Sequence, residues 1–150
     1  MILAFAAKRA IIDRVSALVG SDLDLADVQV SYSYPGEPER RCVYGGTFSF
    51  VQRSAIEEPG LLMAEVDAVE LYVRIYRPGD DVRVADADAE AIMESIATDL
   101  ATNSKLAGAL SVTGVSAGEV SYTVTPNPEP AVIIMARLIV TVEGNVEVSP

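Results

Sequence analysis

Four aspartates within nine positions, Asp80, Asp81, Asp86 and Asp88, are the densest set of groups in this 150-residue chain that could do chemistry. Carboxylates are the ligands of hard cations. The order here lacks the spacing and the downstream Glu of an EF-hand loop, and a solvated loop followed by a helix start explains the four. Glu57 and Glu58 could supply paired carboxylates for acid–base work, but nothing in the sequence brings a partner to them. Cys42 follows Arg41, and nearby guanidinium groups lower a thiol's pKa. In a strand the same residue is a small filler. Gly45-Gly46 lacks the glycine spacing and the strand-to-helix setting of a nucleotide loop. The chain has no His, which removes the Ser-His-Asp triad, the Cys–His pair and any imidazole acid or base. A single Cys forms neither an internal disulfide nor a Cys-rich zinc site. The expectation is a protein that is not an enzyme and has no catalytic residue, metal or cofactor.

Charge points the same way. With 22 acidic and 11 basic side chains the formal charge is −11, which opposes attraction to phosphate backbones. Arg40-Arg41 is too small a basic cluster to reverse that. Half of the residues are hydrophobic and 22% are charged, a balance that supports one globular domain over residues 1–150 and excludes intrinsic disorder. The apolar start, Met1 to Ala7, precedes Lys8 and Arg9, the reverse of a secretory signal. No run reaches the ~18 apolar residues of a membrane span. The cytoplasm is the default compartment.

These residues need elements to position them. Residues 3–19 read as a helix with Phe5, Ile11, Ile12, Val15, Leu18 and Val19 on one side and Gly20 as its stop. Lys8 falls inside that stripe, either snorkelling to solvent or reaching a partner subunit. Val28 to Tyr34 alternates as a half-buried strand and breaks at Pro35-Gly36. Arg40 to Gln52 is extended, with a bend or bulge at Gly45-Gly46. Residues 53–63 lack a clean period and hold a Pro59-Gly60 turn, which predicts an arm or long hairpin tip. There Ile56, Leu61, Leu62 and Met63 either fold back on the core or form a contact patch. Residues 65–77 give the clearest strand: Val69, Leu71, Val73 and Ile75 on one face, Glu70, Tyr72, Arg74 and Tyr76 on the other. The second face is either an ordinary sheet surface with cross-strand pairs or a subunit interface, where Tyr and Arg are enriched.

A second helix is predicted from Asp86 to Thr102, with Asp86, Asp88 and Glu90 in its first turn. Ala89, Ile92, Met93, Ile96 and Leu100 form its buried face and Asn103 its stop. Residues 106–114 read as a loop or short edge. Glu119 to Thr125 places Val120, Tyr122 and Val124 on one side of a strand. Ala131 to Glu143 is apolar on both faces, the pattern of a central strand covered on both sides. Residues 143–150 read as a flexible tail. The element order α-β-β-β-α-β-β predicts an α+β fold: a mixed or antiparallel sheet with two amphipathic helices on one face.

That layout resembles the tail terminator proteins of long-tailed, non-contractile (siphovirus-type) bacteriophages. The likeness rests on the N-terminal helix, on Tyr32-Ser33-Tyr34-Pro35-Gly36 and Val43-Tyr44-Gly45-Gly46, and on the strong strand Val69 to Arg77. The acidic-start helix Asp86 to Thr102, the segment Asn103-Ser104-Lys105-Leu106-Ala107-Gly108 and the closing strands complete it. The resemblance implies a structural virion protein at the head-proximal end of a phage tail, assembled in the host cytoplasm. It implies a homo-hexameric ring that caps the tail tube protein, stops tube polymerisation and docks the head–tail connector protein. Genomic DNA would pass through without specific binding, and no membrane would be involved. Glu70, Tyr72, Arg74 and Tyr76, with the 53–63 arm, are the candidate contacts of such a ring. The competing readings are a head-completion or tail-tube protein and a small ligand-binding α+β domain.

Overall fold

Period-two alternation of apolar residues, sustained far beyond the usual strand length, builds most of this molecule. The computed structural model describes residues 3–55, 62–106, 110–126 and 129–147. Helix α1 (Leu3–Ser21) and a short 3-10 turn (Leu23–Leu25) lead into strand β1 (Gln29–Ser31). Strands β2 (Arg41–Ala55) and β3 (Leu62–Pro78) follow, then helix α2 (Val82–Thr102) and strands β4 (Ser111–Thr125) and β5 (Ala131–Glu147). The spatial order is β1-β2-β3-β5-β4. β1 runs parallel to β2 and every other pairing is antiparallel, so the sheet is mixed. This is the expected α+β architecture with its α-β-β-β-α-β-β order.

Both helices lie on one face. Val69, Leu71, Val73 and Ile75 of β3 stand in register with Val140, Leu138, Ala136 and Ile134 of β5. All eight are buried in one cluster with Ile11 and Val15 of α1 and Ile92, Ile96 and Leu100 of α2. A full burial of one such aliphatic side chain contributes about 1.5–3 kcal/mol, so this layer dominates the fold's stability. A two-pronged pair ties the helices to each other: Arg14 donates from Nε and Nη2 to the two Asp99 carboxylate oxygens, both at 2.7 Å. The fork geometry fixes their relative rotation as well as adding attraction.

Helix α1 has no acidic residue in its own first turn. The Leu3 N–H instead donates to Glu65 Oε2 of β3 at 2.8 Å, within the protein interior. A carboxylate there satisfies a helix N-terminal donor and complements the helix dipole. Asp67, next on the same strand face, is also buried.

Several boundaries differ from the sequence reading, each for a local reason. α1 continues to Ser21, so Gly20 lies in its last turn and is not the stop. α2 starts at Val82 because Asp81 caps it, accepting from the Val84 N–H at 3.3 Å; Asp86, Asp88 and Glu90 therefore lie beyond the first turn. Asn103 does end that helix. β1 pairs over three residues only, since Tyr32 is drawn beneath Lys8, whose Nζ sits 4.3 Å from the ring centroid. Lys8 is thereby buried on an aromatic face, which answers its place in the apolar stripe. β4 opens at Ser111, inside the segment read as a loop.

The expected tail is strand as far as Glu147: residues 143–147 pair with Leu62–Val66 of β3. Likewise Arg53–Ala55 and Met63–Glu65 are paired as the stem of a β2–β3 hairpin, so the two ends of the segment read as aperiodic are strand, and residues 56–61 of the predicted arm lie outside the described residues. Ile56 and Leu61 lie outside the described residues, whereas Leu62 and Met63 open β3. Finally, β5 is central but covered on one side only: Ile133, Met135 and Ile139, on the side away from the helices, are half-exposed.

Replacing Glu65 by Ala should lower unfolding stability by about 1.5–3 kcal/mol, the range for a charged hydrogen bond. Urea denaturation followed by circular dichroism measures it; an unchanged midpoint would show that the cap contributes nothing.

Candidate functional site

The face of the sheet without helices holds the four residues singled out on the 65–77 strand. Glu70, Tyr72, Arg74 and Tyr76 point to one side of β3, beside Ile139, Arg137, Met135 and Ile133 of β5. β2 adds Tyr44 opposite Tyr72 and Cys42 opposite Arg74. β4 adds Ser116, Ser121 and Thr123, opposite Ile139, Met135 and Ile133.

Glu70 is the polar hub of this surface. It accepts from Thr47 Oγ1 at 2.9 Å, from the Tyr72 hydroxyl at 3.0 Å and from Arg137 Nη1 at 3.2 Å. Three donors from three strands reach both carboxylate oxygens, so the group ties β2, β3 and β5 together on this face. Around the hub runs an aromatic ladder. Tyr72 stacks on Tyr44 (centroids 5.3 Å apart, planes at 21°), and Tyr34 meets Tyr44 edge-on at 5.3 Å. The segment after β1 therefore folds over one end of the face, which explains why Cys42 and Tyr44 are buried there. Tyr44 also directs its hydroxyl to Met135 Sδ at 3.2 Å.

Two glycines make room for this arrangement. A Cβ on Gly46 would stand 2.4 Å from Tyr72 Cε2, and one on Gly118 would stand 2.6 Å from Arg137 Nε. The Gly45-Gly46 pair thus does coincide with an irregularity, a register shift between Gly45 and Phe48, and its second glycine is a seat for an aromatic ring.

Electrostatics along the face follow from burial. Desolvation raises the Tyr72 hydroxyl above the ordinary tyrosine range, and its bond to Glu70 adds to the effect. Desolvation raises Tyr44 as well, next to the Tyr72 and Tyr34 rings. Burial pushes the Cys42 thiol up against the smaller, opposite influence of Arg74. A thiol shifted that way is an inert filler, as the sequence reading preferred.

The other candidate chemistry disperses. Asp81 caps α2. Asp88 pairs with Arg41 at 3.1 Å, and Arg41 also grips Asp27. Asp86 holds the Tyr122 hydroxyl, which raises that tyrosine's pKa. Glu57 and Glu58 fall outside the described residues. Among the described residues no group of three His, Cys, Asp or Glu side chains is placed to hold a metal ion. No described helix is long and apolar enough to cross a membrane.

The structure therefore brings Glu70, Tyr72, Arg74 and Tyr76 together on one surface and adds Tyr44, Met135 and Arg137, which sequence spacing could not connect to them. Of the remaining candidates, Leu62 and Met63 begin the arm's return strand. The surface combines aliphatic and aromatic side chains with one carboxylate that three strands share.

Neither a protein-family model nor a curated protein sequence matches the chain. Among solved structures it is similar to a chain of the virion of a native gene transfer agent particle, with 16% sequence identity and a TM-score of 0.51. The match covers 91% of this chain and 94% of that one. At this identity the likeness is one of fold.

Gly46→Ala should destabilise the protein by about 1–3 kcal/mol, the range for overpacking, because the Tyr72 ring has backbone on one side and Tyr44 on the other. Gly118→Ala should cost less, since the Arg137 side chain can swing aside. Equal midpoints for both variants in urea would contradict this. In an alkaline titration, Tyr44, Tyr72 and Tyr122 should ionise later than unperturbed tyrosines, read as tyrosinate absorbance. Their folded pKa values lie above the unfolded value of about 10. Their contribution to stability is thus complete below that pH and is lost as pH rises through the folded values. A single unshifted tyrosinate transition would refute it.

Proposed function

We propose that this chain is a structural virion protein of a tailed-phage-type particle that closes into a ring on the end of the tail tube. The ring stops tube polymerisation and gives the head connector its docking surface. The observation that carries this reading is the fold likeness, nearly end to end in both chains, to a chain of a gene transfer agent virion. The resemblance in layout to siphovirus tail terminators supplies the finer assignment: a homo-hexamer that contacts the tail tube protein on one side and the head–tail connector protein on the other.

The surface chemistry supports a role in adhesion. Ile133, Met135 and Ile139 remain half-exposed on a central strand, and Tyr76 is 37% exposed beside them. Glu70, Tyr72, Arg74 and Tyr76, with the β2–β3 arm that includes Leu62 and Met63, form the contact surface for neighbouring virion proteins. Ile56 and Leu61, at the tip of that arm in sequence, complete the proposed patch. A ring of chains that each carry −11 has little attraction for DNA in transit.

Negative-stain imaging of the purified protein tests the reading. Closed six-fold rings that bind the ends of tail tubes are expected. Open-ended cylinders would point to a tube subunit, and a protein absent from purified virions would refute a virion role. Arg74→Glu and Tyr76→Ala should leave the circular dichroism spectrum intact and weaken tube capping at least about tenfold, equivalent to roughly 1.4 kcal/mol. Unaltered capping would remove this face from the contact.

A further inference from the structure

The helix side of the sheet is covered unevenly. α1 packs mainly over β1, β2 and β3, and α2 over β3, β5 and β4. β4 is the edge strand on the far side of α2. Its helix-side residues Val120, Tyr122 and Val124 are 40%, 50% and 51% exposed, whereas their partners on β5, Ala136, Ile134 and Val132, are buried. Between α2 and β4 runs an open groove of about 420 Å³. Met93 and Ala97 of α2 line it together with Val115, Ala117, Val120 and Leu138 of the sheet. Contiguous exposed apolar surface marks an interaction site.

The rim of the groove is acidic. Asp86, Glu90 and Glu94 border it at four-residue spacing, so they form one row along α2 with steps of about 6 Å. Asp86 holds the Tyr122 hydroxyl. Glu90 and Glu94 are exposed and make no ion pair or side-chain hydrogen bond among the described residues. Arg83 is the one base of α2, and β4 has no Lys or Arg. Nothing in the chain itself supplies a match. α1 turns its apolar stripe to its own sheet, and its outer row of Phe5, Arg9, Asp13 and Ser16 sets one acid beside one base. Residues 1–2, 56–61, 107–109, 127–128 and 148–150 contain no Lys or Arg.

We propose that this groove docks an amphipathic helix of a partner protein, one whose apolar stripe carries Lys or Arg on one flank at four-residue spacing. The space lies beside α2 on top of a sheet, the place of the next helix in a helix-on-sheet layer, where neighbouring helices pack roughly 8–10 Å apart. From Asp86 to Ala97 helix α2 rises about 16 Å, so the docked helix needs at least about three turns. Its apolar residues, at i, i+3 or i+4 and i+7, enter the groove over Ala117 and Val120. Its bases then run along Glu90 and Glu94, which selects a basic flank and repels an acidic one. The groove is on the opposite side of the sheet from Glu70, so the inference does not rest on the function proposed above.

A synthetic helix tests the groove, and the absence of Trp from the chain gives it a clean signal. The probe is a peptide of about 18 residues, or five helical turns, with a Leu stripe, one Trp in that stripe and Lys at four-residue spacing along one flank. On binding, its Trp emission should move to shorter wavelength and its circular dichroism should gain helix. E90K/E94K should weaken binding at least about tenfold, and Val120→Ser, at an exposed floor position, at least about threefold. E37K/E39K makes the same change of net charge in the loop before β2, toward the other edge of the sheet, and should bind as the unaltered chain does. Tyr76→Ala, on the helix-free face, should do the same. No binding, or equal losses from the two glutamate pairs, would overturn the proposal. So would a loss caused by Tyr76→Ala, which would move the peptide to the other face. Slowed amide exchange over residues 111–125 without gain of helix would show an added strand at the β4 edge and overturn the helix. Self-association of the unaltered chain that E90K/E94K abolishes in sedimentation velocity would give the groove to a second copy and overturn the partner.

Discussion

Strand β5 is apolar on both faces, and the two α-helices among the described residues are both committed to the same side. This imbalance shapes the rest of the molecule. The helix side closes with full burial of β3, β5, α1 and α2 side chains. The other side is left with Ile133, Met135 and Ile139 half-exposed, and the chain tempers that exposure by polar and aromatic means. Glu70 draws Thr47, Tyr72 and Arg137 into one clasp, and the Tyr34–Tyr44–Tyr72 ladder covers one end. What remains half-exposed is Ile133, Met135 and Ile139, the part of this face for which a contact with other proteins is proposed.

The helices depend on the sheet as much as the sheet depends on them. α1 begins against Glu65, a residue of a strand 62 positions away, and is held to α2 through Arg14 and Asp99. Strands of 15 and 17 residues give the sheet length for an arm as well as a core. Because β2, β3 and β5 remain paired out to Ala55, Leu62 and Glu147, the arm has a three-stranded base. The sheet is thus covered by helices on one face and left partly open on the other.

Much of the fold was legible in the sequence because its signals are periodic. Alternation along residues 65–77 separates Val69, Leu71, Val73 and Ile75 from Glu70, Tyr72, Arg74 and Tyr76, and the structure places the two sets on opposite faces. Helical spacing in Ala89, Ile92, Ile96 and Leu100 marks the buried side of α2. What failed has a shared cause: partners distant in sequence. Gly144 and Asn145 read as a loose tail until β3 is laid beside them. Gly46 and Gly118 carry no local sign that Tyr72 and Arg137 will lie over them. The apolar pattern of β5 is correct about its central position and silent about how many layers of helix the chain can spare. The candidate face was legible only as one strand's worth of residues, since Tyr44, Met135 and Arg137 reach it from other strands.

The function proposed for this chain is one of contact, and it gives the central part to the helix-free face around Glu70. Methionine oxidation footprinting tests that view most directly, because Met135 sits half-exposed in the middle of the helix-free face. Its rate of conversion to the sulfoxide should fall at least about tenfold when the protein is incorporated into particles, as expected for a thioether sealed from solvent. An equal rate in the free and particle-bound protein would contradict the central claim that this face exists to be covered.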